Sequence, residues 1–370
     1  MDHAVATGVF PGGVLAIRRG GEPVLFIPAG RLSSEPTSAA VEATTVYDLA
    51  SLTKPLATVT SLVLLVQNGR CRLDDPIVSV LPELEGAVIE TATLRQLLTH
   101  SSGLPGWRGF YEQLSPNAVL PSSAEECARM NAQMLRLIRR ETLIYQKDER
   151  SLYSDLGFIL LGLAIERLSG QRLDQFVQRH VVQLMEGSLL GYLPTGKDGS
   201  DQAPLWNGRI APTEWDSWRN RMLCGEVHDE NAAALGGVAG HAGLFGTAEG
   251  VLAITGGWLA AYHHRPSALS PDIVREFVQR QNTIPGSSWA LGWDTPSPPS
   301  SSGQYFPRQA FGHLGYTGTS VWIDPVKELE VVLLSNRVHP TRKNEGIRAF
   351  RPFIHDLAYQ ECAGYEGWSV

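Results

Sequence analysis

The chain is expected to adopt an α+β fold: an antiparallel sheet built from both chain ends, flanked by helices, with a mainly helical insertion between them. Three observations predict this. Apolar, β-branched runs bounded by turn residues lie at residues 11–30 and again at 318–337. The sequence between them carries helical periodicity. A Pro/Ser/Gly-rich stretch at 294–304 has patterned sequence on both sides, so it reads as a loop within a domain and not as a linker. The implied organisation is a discontinuous α/β domain (1–69 plus 271–370) and a mainly helical domain (70–270), with a cleft between them.

Taken in order, PGGVLAIRRGGEPVLFIPAG reads as a hairpin, with VLAI and VLFI flanking the turn RRGGEP. Residues 32–44 are small and polar, hence loop. A helix follows from about Leu52 to Asn68 and stops at Gly69. TLRQLLTHSSGLPG predicts a helix ending in a Ser/Gly/Pro turn. SSAEECARMNAQMLRLIRRE has a capping serine, acidic residues in its first turn and basic ones in its last. DLGFILLGLAIERLSGQ is helical to Gly170, and LDQFVQRHVVQLM is a further helix. Residues 185–230 show no clear period. TAEGVLAITGGWLAAYHH predicts another helix. GTSVWIDPVKELEVVLLSNR reads as a second hairpin turning at DPVKE, and IRAFRPFIHDLAYQEC as a closing amphipathic helix.

Composition narrows the function classes. The 370 residues are 43% hydrophobic and 19% charged, with a net charge of −7 and no basic run, which argues against a nucleic-acid partner. Cys71, Cys127, Cys224 and Cys362 include no C-x-x-C pair and predict free, mostly buried thiols. The longest apolar run, near Leu62 to Val66, is short of the ~20 residues a membrane span needs. The N-terminus lacks a basic segment followed by an apolar one. As written, the chain is expected to be cytoplasmic, or periplasmic or extracellular if a signal has been removed.

Three short elements carry chemistry. In Ser51-Leu52-Thr53-Lys54, a helix beginning near Ser51 puts the hydroxyl and the amine on one face. A serine hydroxyl becomes a useful nucleophile only when a base takes its proton. Burial and the helix N-terminus both lower a lysine pKa toward that role. Pro55 falls in the first turn, where it is tolerated. Taken alone, the pattern equally describes a helix cap and a solvated lysine. The second element is Tyr153-Ser154-Asp155 at a helix mouth, where a phenol can relay a proton. The third is Gly312-His313-Leu314-Gly315-Tyr316-Thr317-Gly318-Thr319, whose glycines let backbone approach a ligand closely. An edge strand there can offer a backbone N–H to a carbonyl oxygen.

With these elements in this order, together with GVFPGGVLAI, VYDLASLTKPLAT, LDDPI, TLRQLLTHSSGLP, YSDLGFILLG and GGVAGHAGLFGTAEG, the chain resembles the β-lactamase-related serine hydrolases. These comprise class C β-lactamases, penicillin-binding D,D-carboxypeptidases, D-aminopeptidases and family VIII esterases. The resemblance covers nearly the whole chain, and it implies a β-lactamase/transpeptidase-like fold and no cofactor. It makes Ser51 the nucleophile, Lys54 its base partner and Tyr153 a second general base or acid. The backbone N–H groups of Ser51 and Tyr316 fall at the oxyanion hole. Asp155, His313 and Gly315 fall at substrate-binding positions.

Two departures bear on substrate. Asp155 stands where the family usually has Asn; an ionised carboxylate cannot donate a hydrogen bond to an amide carbonyl, and it can pair with Lys54 instead. Pairing would raise the lysine pKa and shift the base role toward Tyr153. His313 in place of Lys removes a permanent cation. Both lean toward small esters or D-amino-acid peptides over penicillins. A D,D-carboxypeptidase, a weak β-lactamase and a non-catalytic binding protein on the same fold stay as alternatives. His228, Asp229, Glu230 and His241 match no metal-binding spacing. His100 reads as structural, since no G-x-S-x-G elbow accompanies it. Trp107 and Trp289 read as walls of an acyl pocket or as core.

Overall fold

A computed structural model describes residues 1–184, 189–195 and 209–363. Its main sheet has five antiparallel strands: β1 (Gly12–Arg19), β2 (Leu25–Gly30), β3 (Phe311–Leu314), β4 (Ser320–Asp324) and β5 (Leu329–Ser335). The order is β2-β1-β5-β4-β3. The two chain ends meet at the β1–β5 pair, where Val14 faces Leu334 and Arg19 faces Leu329.

Alternation along these strands buries both faces of the sheet. Val14, Ala16, Val321, Ile323, Val332 and Leu334 point into the larger core, which they share with the helices. Leu15, Ile17, Trp322, Val331 and Leu333 point the other way, under Phe350 and Ile354 of the C-terminal helix Ile347–Ala363. A two-sided hydrophobic sheet needs helices on both faces, and it has them. The α+β architecture read from the sequence is the one observed.

The helix Ala248–Tyr262 packs against β1 and β5. Sequence placed it in the 70–270 segment, because periodicity shows that a helix has an apolar face but not what covers it. The 185–230 segment contributes Leu190–Tyr192, which joins Tyr47–Asp48 on either side of Leu244–Gly246 in a small sheet, and a short ribbon of Trp215–Asp216 with Arg221–Met222. Residues 185–188 and 196–208 of it lie outside the described residues, as does the end of the LDQFVQRHVVQLM helix at Met185.

The helix expected over 52–68 is built in three pieces. A 3₁₀ turn (Ala50–Leu52) leads into a π-helical turn (Lys54–Val59), then an α-helix (Thr60–Gln67) that ends before Gly69 at φ +65°. Pro55 has no N–H, and the Thr60 hydroxyl donates to its carbonyl at 3.0 Å, which suits the wider turn. By length and composition Ala50–Gln67 would pass for a membrane span, but 83% of it is buried inside the protein, so its apolarity is that of a core helix. The four cysteines are free: Cys71 and Cys362 buried, Cys127 partly buried and Cys224 exposed.

Candidate active site

Ser51 sits in the 3₁₀ turn that follows Tyr47–Asp48. Several contacts fix this turn. Leu49 N–H donates to the Leu244 carbonyl at 2.9 Å, and Leu244 N–H to the Thr53 hydroxyl at 3.1 Å. The buried Asp48 carboxylate accepts from the N–H groups of Ala50 (2.8 Å) and His228 (2.7 Å). Ala50 itself is held at φ +49°, a strained conformation for a residue with a side chain. From the turn between β3 and β4, the Thr317 and Thr319 hydroxyls donate to the Asp48 and Leu49 carbonyls at 2.8 and 3.0 Å. Gly315 makes this approach possible: a Cβ there would lie 2.6 Å from the Leu49 carbonyl oxygen and overlap the Thr319 hydroxyl.

Lys54 is fully buried, and its ammonium faces three acceptors. Ser51 Oγ lies at 3.0 Å, the His241 carbonyl at 3.0 Å and Asp155 Oδ1 at 2.7 Å. Burial alone would lower the lysine pKa, but Asp155 and Tyr153 outweigh it and hold the group above its ordinary value. The side chain therefore rests as a cation. The pairing of Asp155 with Lys54 anticipated from the sequence is present.

Tyr153 and Asp155 stand at the start of the helix Asp155–Ser169, capped by the Ser154 hydroxyl on Gly157 N–H. The loop 100–106 pins that start. Ser154 N–H donates to His100 Nδ1 at 3.1 Å, the Ser154 hydroxyl to the Pro105 carbonyl at 2.8 Å, and Asp155 N–H to the Gly106 carbonyl at 2.8 Å. His100 thus has the loop-holding role expected of it. The Tyr153 ring stacks on Trp289 (5.7 Å) and touches the rings of His100 (4.7 Å) and His313 (5.9 Å). Its phenol oxygen is buried without a well-formed hydrogen bond. Burial pushes the phenol pKa up to about 12, against the pull of nearby Lys54. At neutral pH it is a proton donor.

His313 lies on the edge strand β3. Nδ1 donates to the Leu314 carbonyl at 2.8 Å, which leaves a bare lone pair on buried Nε2. Burial, with Lys54 nearby, pushes its pKa down to about 3, so it is neutral. Tyr316 is half exposed beside the turn, and its backbone N–H donates to no acceptor among the described residues. The Arg337 guanidinium lies 4.5 Å from its ring. Trp289 belongs to the aromatic wall around Tyr153, whereas Trp107 is exposed next to Gly106 and packs only loosely on Tyr111, at 6.4 Å.

The acidic and histidine residues of 228–241 are each paired at 2.8 Å, His228 with Glu214, Asp229 with His241 and Glu230 with Arg342, and Arg342 also bridges to Glu214 at 2.6 Å. Among the described residues no group of three or more such side chains could hold a metal ion. Sequence reading did not foresee that the His241 carbonyl would hold Lys54, nor the threonine clamps on Asp48 and Leu49. Both contacts use backbone oxygens, which every residue type carries.

A protein of Escherichia coli (strain K12) named "Putative D-alanyl-D-alanine carboxypeptidase" is 31% identical over 320 residues, covering 80% of this chain and 70% of that protein. The N-acetylmuramyl-L-alanine amidase of Bacillus subtilis (strain 168) is 29% identical over 361 residues, 92% of this chain and 80% of the other. Among solved structures, EstCE1, described as a hydrolase with promiscuous acyltransferase activity, superposes with a TM-score of 0.69 at 21% identity, over 95% of this chain and 96% of that one. The family model described as Beta-lactamase matches residues 1–351, and the chain is a member of the beta-lactamase family, a serine hydrolase of that group.

Proposed function

We propose that the protein hydrolyses small esters or D-amino-acid peptides through a covalent acyl-enzyme on Ser51. The observation that carries this reading is the 3.0 Å contact between Lys54 Nζ and Ser51 Oγ, in a site where Lys54 is also held by Asp155. In the proposed step, Ser51 Oγ loses its proton to the neighbouring base system and bonds to the acyl carbon. The carbonyl π pair moves onto oxygen, where the backbone N–H groups of Ser51 and Tyr316 receive it. On collapse, the bond to the leaving group breaks and the Tyr153 phenol protonates it. Water then repeats the sequence on the ester.

Charge supports esters over substrates ending in a carboxylate. His313 is neutral. Arg351 is spent on the Gly315 and Thr319 carbonyls, Arg337 on three backbone carbonyls, and Arg342 on Glu214 and Glu230. Lys54 is paired with Asp155. The expected ranking is p-nitrophenyl esters above carboxylate-terminated D-Ala-D-Ala peptides and nitrocefin. Ser51→Ala should abolish ester turnover, and full activity in that variant would end the proposal.

The D,D-carboxypeptidase or β-lactamase reading rests on the family and on the name of the 31% identical relative. Nitrocefin turnover or labelling by a fluorescent penicillin at rates matching the ester would favour it. A binding protein without turnover is separated from both by failure of a fluorophosphonate to add to Ser51.

A further inference from the structure

The resting charges pose a problem for the proposed chemistry. Ser51 must lose a proton, yet its nearest neighbour is an ammonium that donates to Ser51 Oγ and the His241 carbonyl and is ion-paired with Asp155 Oδ1. An ammonium has no lone pair to receive that proton. The other titratable groups packed around Lys54 do not supply one either. Tyr153 is a phenol with its proton in place. His100 Nδ1 is occupied by the Ser154 N–H, so its other nitrogen carries a proton. His313 is buried and neutral, a poor base. Asp229 is engaged by His241 and by the N–H of Ala232. Asp155 is different. Its Oδ1 lies 2.7 Å from Lys54 Nζ as an ionic partner, its side chain is partly exposed at 17%, and that oxygen accepts no well-formed hydrogen bond.

We propose that Asp155 is the terminal acceptor of the Ser51 proton, reached through Lys54. This rests on Ser51 being the nucleophile. As Ser51 Oγ bonds to the acyl carbon, the Oγ–H bond breaks and an N–H bond forms on Lys54. A Lys54 N–H bond turned toward Asp155, whose Oδ1 is 2.7 Å away, breaks, and an O–H bond forms on Oδ1. Lys54 thus stays an ammonium before and after the step. The charge that changes is on Asp155, which becomes a neutral acid while the substrate oxygen becomes an anion. When Tyr153 has protonated the leaving group, the Asp155 proton returns through Lys54 to the phenolate, and the site is restored. With Asn at this position no such acceptor exists, and Lys54 must shed a proton to solvent before it can act as a base. The carboxylate at 155 thereby changes how the site is charged before it reacts, and not only what it binds.

The test is acylation by a p-nitrophenyl ester, followed in single turnover, in light and heavy water mixtures and across pH. In the wild-type protein the rate should fall along a curve with deuterium fraction, as expected when two protons move together. In Asp155→Asn the dependence should become linear. Its rate at neutral pH should fall about 10²-fold, and the acid limb of its profile should move upward by more than one pH unit, so that much of the loss is recovered in alkali. A role for Asp155 confined to packing or substrate contact would lower the rate without moving the acid limb or the isotope pattern. A linear wild-type plot, or an unchanged acid limb in the variant, overturns the relay. If Asp155→Asn does not fold, the wild-type plot alone decides. Intact-mass detection of a fluorophosphonate adduct separates the two layers: an adduct on Ser51 with a linear plot removes only the relay, whereas no adduct removes the nucleophile itself.

Discussion

Two buried cations in this protein invite comparison. Lys54 and Arg219 both have side chains with no exposed surface, and each pairs with an aspartate. Arg219 closes on itself. It grips Asp216, three residues away, through Nε and a terminal nitrogen at 3.1 and 2.8 Å, and donates to the Val227 and His228 carbonyls at 2.7 and 2.9 Å. A guanidinium does not release its proton, so this arrangement fixes a loop and nothing else. Lys54 is held as firmly, but by a partner 101 positions away in sequence (155 − 54), and one of its three contacts is the Ser51 hydroxyl. Lysine can exchange protons among its partners. In the proposed reaction, equal burial serves structure in one place and chemistry in the other, and what separates them is whether the cation can give up a proton and what it touches.

The largest expected effect belongs to the lysine. Lys54→Met should lower kcat/KM for a p-nitrophenyl ester by about 10⁴-fold, in the range seen when a member of a nucleophile's activating set is removed. The midpoint of urea unfolding should shift comparatively little, because the stranded Asp155 is partly exposed. A large loss of stability with activity retained per folded molecule would erase the contrast. Arg219→Met should do the reverse. Leaving Asp216 buried and unpaired should cost about 3–5 kcal/mol of stability, read by urea unfolding, while the folded fraction keeps near-normal kcat.

Tyr153→Phe removes the proton donor without emptying its place among Trp289, His100 and His313. The expected loss in kcat is about 10²-fold, with KM little changed. Because the leaving group is what needs the proton, esters with poor leaving groups should suffer more than p-nitrophenyl esters.

The smallest effect concerns pH. His313 and His355 are both pushed down to about 3 by burial, with cationic neighbours adding to it. Between their ordinary value near 6.5 and about 3, the unfolded chain binds protons that the folded chain does not. Their contribution to stability is therefore complete above about pH 6.5 and is lost as pH falls toward 3. Thermal midpoints should decline over that window, and His313→Gln should flatten part of the decline. An unchanged slope would show that the histidine is not held neutral.

Much of the architecture is legible in the sequence. The hairpins at both ends, the capped helices at 124–139 and 155–169, and the stop at Gly69 follow from period and punctuation. The fold class follows from their order. Less legible are the π turn at 54–59, where the Thr60 hydroxyl donates to the Pro55 carbonyl, and the seating of 248–262 on the sheet. In the site, Ser51 and Lys54 are visible as an i, i+3 pair.

What the sequence determined by itself is local: which segments are strand or helix, and that a hydroxyl and an amine lie one turn apart. Those outcomes depend on backbone geometry repeating over a few residues. The tertiary structure decided the charge states. It set Asp155 against Lys54, aimed the His241 carbonyl at the same nitrogen, and sealed His313 and the Tyr153 hydroxyl away from water. Desolvation and Coulombic pairing depend on groups brought in from remote parts of the chain, and no short stretch of sequence contains them.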